Sequence, residues 1–200
     1  MSTTFTPDTD ELRKIAELPT EAALRRAAAF LASLVKNPHF VQSQILPALD
    51  EVRDIEDCYL ARRHDAKDGS YSLKIFVWPP GTGTKIHDYS FWVAYLCAWG
   101  SVLEERYERL DDGSRAGHAR LKKVLQLWWS PEDSASTAQP GEGGIHRVGN
   151  PQDETAVSVH LYGPRKGGVY GRDYDASRDH VCDRREDQVD ARDAAEEIGM

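Results

Sequence analysis

The most constraining feature of this 200-residue chain is a series of short β-branched and aromatic segments between Cys58 and Tyr162, cut by glycine and proline. Candidate strands run Cys58 to Arg63, Tyr71 to Trp78, Phe91 to Ala98, Val102 to Leu110, Leu121 to Trp129 and Ala156 to Tyr162. Such residues suit a pleated surface buried on one or both sides. Turn signals separate them: Lys67-Asp68-Gly69, Pro79-Pro80-Gly81-Thr82-Gly83, Asp111-Asp112-Gly113 and Gln139-Pro140-Gly141-Glu142-Gly143-Gly144. No helical periodicity intervenes, and parallel strands need long, usually helical crossovers. The expected architecture is therefore an antiparallel sandwich or barrel.

Ahead of this region, from Asp8 to about Asp50, apolar residues fall at helical spacing: Leu12, Ile15 and Ala16, then Leu24, Ala27, Ala28, Leu31, Leu34 and Val35. Two or three helices are expected, with Thr20 as an N-cap and Pro38 and Pro47 as boundaries. Beyond Gly171 the sequence is charged, with few large apolar residues, a composition that does not offset the entropy of ordering. The expectation is one domain over residues 1–170, with a helical segment at about 8–50 and a barrel at about 57–165. Residues 171–200 then form a charged surface tail, partly helical near Ala191 to Ile198.

The formal net charge of −8 opposes binding to nucleic acid, which needs a basic stripe. No apolar run approaches the roughly 20 residues of a membrane span, and the N-terminus lacks a signal-peptide pattern. These readings predict a soluble cytoplasmic protein with neither nucleic acid nor membrane as partner. Cys58, Cys97 and Cys182 are far apart and lack CxxC spacing, so the first two read as small core residues. The five tryptophans read as core or rim packing, and Glu104 to Arg109 as the solvated face of a strand with cross-strand pairs.

Among seven histidines, three sit where strands begin or run. His87 ends Gly81-Thr-Gly-Thr-Lys-Ile-His87, His146 follows the turn Gly143-Gly144, and His160 lies within Val157-Ser158-Val159-His160-Leu161-Tyr162. In a small barrel, side chains alternate between interior and exterior, so histidines on several strands can converge on one interior point. Neutral imidazoles suit first-row transition metals there. Taken singly, each histidine is more often a satisfied core or surface residue than a ligand.

Two blocks resemble the cysteine dioxygenase branch of the cupin superfamily. The first is Tyr71-Ser-Leu-Lys-Ile-Phe-Val-Trp78-Pro-Pro-Gly81-Thr-Gly-Thr-Lys-Ile-His87-Asp88, continuing through Trp92 to Gly100-Ser-Val-Leu-Glu104-Glu105-Arg-Tyr107. The second is Gly144-Ile-His146-Arg147-Val148-Gly-Asn150, continuing through Glu154 to His160-Leu161-Tyr162-Gly-Pro164. The resemblance implies a cupin (jelly-roll) β-barrel preceded by helices and a non-haem ferrous ion held by three histidines. His87 matches the first ligand and His146 the third. Tyr162 matches a catalytic tyrosine beside dioxygen, and His160 the histidine that orients it. An arginine just after Tyr59 would hold the substrate carboxylate as a bidentate fork. Arg62 is the nearest candidate, although a gapless count puts Ala61 there.

The second ligand position departs from that pattern, because the sequence reads His87-Asp88-Tyr89 and the next segment is one residue shorter. Three outcomes stay open. Tyr89 ligates as a phenolate, since a metal acidifies the phenol; two histidines hold the ion with water or substrate at the third position; or the pocket holds no metal. The functional expectation is an iron-dependent oxygenase that uses dioxygen on a small thiol, cysteine or a related amino or carboxylic acid. The competing expectation is a non-catalytic or redox-inert-metal cupin that binds a small metabolite.

Overall fold

Asp8 opens the first helix, its carboxylate accepting the Glu11 N–H at 3.0 Å. The structure, a computed structural model, describes residues 5–51, 58–165 and 169–185. Helix α1 spans Thr9–Ala16 and α2 spans Thr20–Leu34. Their buried residues, Leu12, Ile15 and Ala16, then Ala23, Leu24, Ala27, Leu31 and Leu34, form one apolar stripe. The cap of α2 is Pro19, in the extended conformation its ring enforces, so Thr20 is the first helical residue and not the expected N-cap. Asn37 caps α3 (Pro38–Phe40), a π turn follows over Val41–Ile45, and α4 covers Leu46–Asp50.

Eleven strands follow among the described residues: β1 Tyr59–Asp65, β2 Ser72–Trp78, β3 Ile86–Tyr89, β4 Val93–Trp99, β5 Val102–Arg109, β6 Leu121–Trp129, β7 Ser136–Ala138, β8 His146–Gly149, β9 Ala156–Tyr162, β10 Val169–Asp175 and β11 His180–Arg185. They form two antiparallel sheets, β1-β2-β9-β4-β7 and β11-β10-β3-β8-β5-β6, the two walls of a cupin barrel. The helices cover the outer face of the first sheet, where Leu73, Ile75, Val77, Ala94, Leu96, Val157, Val159 and Leu161 join the helical stripe in one cluster. The opposite face, with Trp78, Val93, Tyr95, Cys97, Ala156 and Tyr162, lines the barrel interior with Val102, Trp129 and Val148 of the second sheet. Burial on both faces explains why β2, β4 and β9 are nearly continuous apolar runs. No helix among the described residues is long and apolar enough to cross a membrane.

The expected tail is overturned for residues 171–185, which complete β10 and form β11. Two tyrosines anchor this hairpin, Tyr170 and Tyr174, 6% and 5% exposed. Its charges are not simply solvated: Arg172 donates to buried Asp88 of β3 from Nε (2.9 Å) and from its second terminal nitrogen (2.6 Å), and the Tyr174 hydroxyl adds a third bond at 2.8 Å. Pairing of this kind keeps a carboxylate inside a protein. Gly171 lies so close to β3 that a Cβ on it would stand 2.1 Å from the Asp88 carbonyl oxygen. The helix expected near Ala191 lies outside the described residues.

The tryptophans divide: Trp78, Trp92 and Trp129 are buried, whereas Trp99 and Trp128 are about half exposed, at 48% and 47%. Glu104 is also a correction. Expected on a solvated face, it is 0% exposed, because alternation from Val102 turns Glu104 and Arg106 inward and leaves Glu105 to pair with Lys123 outside.

Candidate metal centre

The glycine turn before β3, with Gly81 at φ 78°, and the turn before β8 start both strands at the same height in the second sheet. His87 and His146 are register partners there. Both point inward and are 3% exposed. His87 Nδ1 lies 2.9 Å from the Lys85 carbonyl oxygen, an acceptor, so Nδ1 carries the proton and Nε2 presents a lone pair to the barrel. His146 Nδ1 faces Glu104 Oε1 at 3.1 Å and the Tyr95 hydroxyl at 3.0 Å, which fixes its proton in the same way. The two Nε2 atoms stand 3.2 Å apart.

Two lone pairs at that distance repel unless a cation or a proton lies between them. Metal–imidazole bonds of about 2.0–2.1 Å with ligand angles between octahedral and tetrahedral put the nitrogens roughly 2.9–3.4 Å apart. The observed separation falls inside that window, so the pair fits a first-row metal ion. Burial, and next the neighbouring His146, hold His87 well below its ordinary pKa, which keeps it neutral and available as a donor.

The third group is Tyr89, whose hydroxyl is 2.9 Å from His87 Nε2. Burial pushes its phenol up to about 12, against the pull of Arg184. Among the described residues no cluster of three or more His, Cys, Asp or Glu side chains is placed to share an ion; the polar groups that meet here are two imidazoles and one phenol.

Tyr162 and His160 face the same space from β9. Trp78 Nε1–H donates to Ser158 Oγ at 2.7 Å, and Ser158 Oγ lies 2.7 Å from His160 Nε2. The indole takes one acceptor site of Ser158; with the Ser158 proton placed on His160 Nε2, the His160 proton lies on Nδ1, 3.3 Å from the Tyr162 hydroxyl. His160 thus occupies one acceptor position of Tyr162, and the tyrosine proton points onward, where its hydroxyl interacts with that of Tyr89. Burial above all lowers His160 to about 3, so it relays orientation as a neutral ring.

Sequence reasoning missed the support behind His146. Glu104 accepts from Tyr95, from Arg106 Nε at 3.1 Å and from Ser136 at 3.0 Å as well as from His146. Burial opposes its ionisation, but the hydrogen bond from His146, with Arg106 and Tyr95, holds the carboxyl at about 2. The inward alternation from Val102 was the one available signal.

Arg62 does not join the site. A bulge between Leu60 and Arg62 puts Arg62 opposite Ile75, on the helix-covered face, where its guanidinium binds Glu51 at 3.0 and 2.7 Å. Ala61 packs on that same side.

Among solved structures, an acetylacetone dioxygenase from Acinetobacter johnsonii is 12% identical, covering 69% of this chain and 77% of its own, with a TM-score of 0.41. The Cnp3 cupin domain of Schizosaccharomyces pombe is 10% identical, covering 58% of this chain and 67% of its own, also at 0.41. The profile of the family described as cysteine dioxygenase type I matches residues 52–170, well over half of the chain. The protein therefore belongs to the cysteine dioxygenase type I family.

Proposed function

We propose that this cupin oxygenase is a non-haem ferrous-iron enzyme that oxidises a small thiol, cysteine or a related amino or carboxylic acid, with a metal site of two histidines and a tyrosine. The observation that carries the reading is the pair of Nε2 atoms 3.2 Å apart, with Nδ1 of each ring beside an oxygen acceptor. A ferrous ion held by His87, His146 and Tyr89 would supply the one-electron chemistry by which dioxygen reacts with a closed-shell thiolate. The protein's share is orientation and proton placement. Glu104 locks the His146 tautomer, and the Trp78, Ser158 and His160 series fixes the Tyr162 hydroxyl as a donor toward the pocket. A donor aimed where negative charge grows on a reacting oxygen stabilises it without reorganisation. Phe91, Tyr162 and Tyr170 pack edge to face beside Tyr89, an apolar surround that would limit water near the imidazole pair.

The test is iron content together with thiol-dependent oxygen uptake. Wild-type protein reconstituted without oxygen should bind one ferrous ion, and His87→Ala and His146→Ala should lose it. Full occupancy in both variants would sink the assignment. In the ferric form a phenolate ligand gives a visible charge-transfer band that Tyr89→Phe should remove while weakening binding. A colourless wild type with unchanged affinity in Tyr89→Phe removes the tyrosine from the ligand set. Metal binding with no oxygen uptake on any thiol would favour a redox-inert cupin instead.

A further inference from the structure

Register ties three residues of the second sheet into one inward-facing row: Tyr89 of β3 pairs with Gly171 of β10, which pairs with Arg184 of β11. Because Gly171 has no side chain, Arg184 reaches across it. The guanidinium carbon lies 5.1 Å from the ring centres of both Tyr89 and Tyr170. Tyr89 carries its hydroxyl 2.9 Å from His87 Nε2, so Arg184 stands one tyrosine ring from the imidazole pair.

Its charge is incompletely matched. One terminal nitrogen donates to the Asp88 backbone oxygen at 3.0 Å, and the other is a loose 3.6 Å from Asp173. The nearby Asp88 carboxylate is taken by Arg172 and Tyr174. Nε of Arg184 is buried without a hydrogen-bond partner. A donor so placed lacks the acceptor its desolvation calls for. The side chain as a whole is 20% exposed, while its Nε is closed off from solvent. Its positive field already reaches His87, Tyr89 and Tyr162.

The geometry points to Arg184 as the residue that anchors the substrate's carboxylate, from the C-terminal hairpin and in place of an arginine on β1. The inference rests on the thiol-oxygenase reading for the other end of the substrate, whose sulfur would lie at the His87 and His146 pair. The Nε edge offers a carboxylate the fork that a guanidinium presents and a lysine does not. On β1, Arg62 is turned to the helices and Arg63 pairs with Asp65 at 2.5 Å.

Two probes separate the ends of the substrate: 3-mercaptopropionate, with thiol and carboxylate, and 2-mercaptoethanol, with thiol and a neutral hydroxyl. In the full-length iron-loaded protein, Arg184→Gln should lower the ratio of kcat/KM for the acid over the alcohol at least tenfold, with partial restoration in Arg184→Lys. Calorimetry with propionate, which has no thiol, should show weaker binding in Arg184→Gln whether or not any thiol is oxidised. If propionate binding depends on Arg184 while no thiol is consumed, the thiol reading fails and the anchor stands. Should Arg184→Gln not fold, Arg184→Lys, which keeps the charge but not the Nε edge, must still lower the ratio. An unchanged ratio in the folded variants, or a loss confined to Arg62→Gln or Lys74→Met, overturns the assignment.

Discussion

Replacing Glu104 by alanine should be among the most damaging single changes in the barrel, and the cost follows from the atoms it strands. The carboxylate takes hydrogen bonds from Tyr95, His146, Ser136 and two nitrogens of Arg106. Arg106 and Ser136 keep other partners, since Arg106 also donates to Ser136 at 2.6 Å and to the Thr137 carbonyl at 3.0 Å. Tyr95 and His146 keep each other, at 3.0 Å, but one of their two protons loses its acceptor. Each buried donor left unsatisfied costs about 1–3 kcal/mol, and a half-exposed guanidinium losing its carboxylate adds to that. The sum, about 3–5 kcal/mol, matches the usual cost of breaking a buried pair from one side. With a urea m-value of about 2–3 kcal/mol/M, the unfolding midpoint should fall by roughly 1–2 M.

Glu104→Gln, which keeps one acceptor oxygen and the volume, should lose less stability. It still removes the negative charge behind His146, so ferrous affinity should fall about 10–100-fold. Chemical denaturation and an anaerobic ferrous titration check both numbers. A midpoint within a few tenths of a molar of wild type in the alanine variant, together with unchanged ferrous affinity in the glutamine variant, would refute the idea that this carboxylate holds the imidazole in place.

Two further outcomes follow from other parts of the barrel. His160 has its folded pKa lowered to about 3 from an ordinary 6.5; below pH 6.5 the unfolded chain takes up a proton that the folded state refuses. Stability from this group is thus present above pH 6.5 and lost as pH falls toward 3, at about 1.4 kcal/mol per pH unit. His160→Gln should flatten the pH dependence of the urea midpoint between pH 6.5 and 4.5, and an unaltered slope would count against a buried neutral imidazole. Gly171→Ala forces a Cβ onto the Asp88 carbonyl, so the hairpin must part from β3. Limited proteolysis should then cut within residues 171–185 faster than in wild type, and an equal rate would show that the hairpin tolerates the side chain.

What could be read from the sequence, and what could not, divides along the range of the interactions. The helices and the strands β2, β4 and β9 are legible because each buries an apolar stripe whose period is local, 3.6 in one case and near-continuous in the other. Strands β3, β7 and β8 have only three or four residues, too few to establish a period, and their existence depends on neighbours distant in the chain. His87 and His146 were singled out by the turns that precede them, 59 positions apart, yet their facing pair emerges only from register. Glu104 and Glu105 are adjacent and chemically alike, and just one is inside; composition cannot separate them, whereas counting in twos from Val102 can.

The C-terminal hairpin defeated the composition argument for a different reason. An entropy argument against ordering assumes that charged side chains stay hydrated, but Asp88 gathers Arg172 and Tyr174 into a buried network, and two tyrosines supply the apolar anchor. Once that hairpin is bound, the missing glycine side chain at 171 lets an arginine 95 positions from Tyr89 stand over its ring. The two facing imidazoles therefore descend from motifs visible in the chain. The Arg184 end of the row is set by a strand whose burial no local pattern announces, and on the proposed reading a change of specificity can arise there with every histidine left in place.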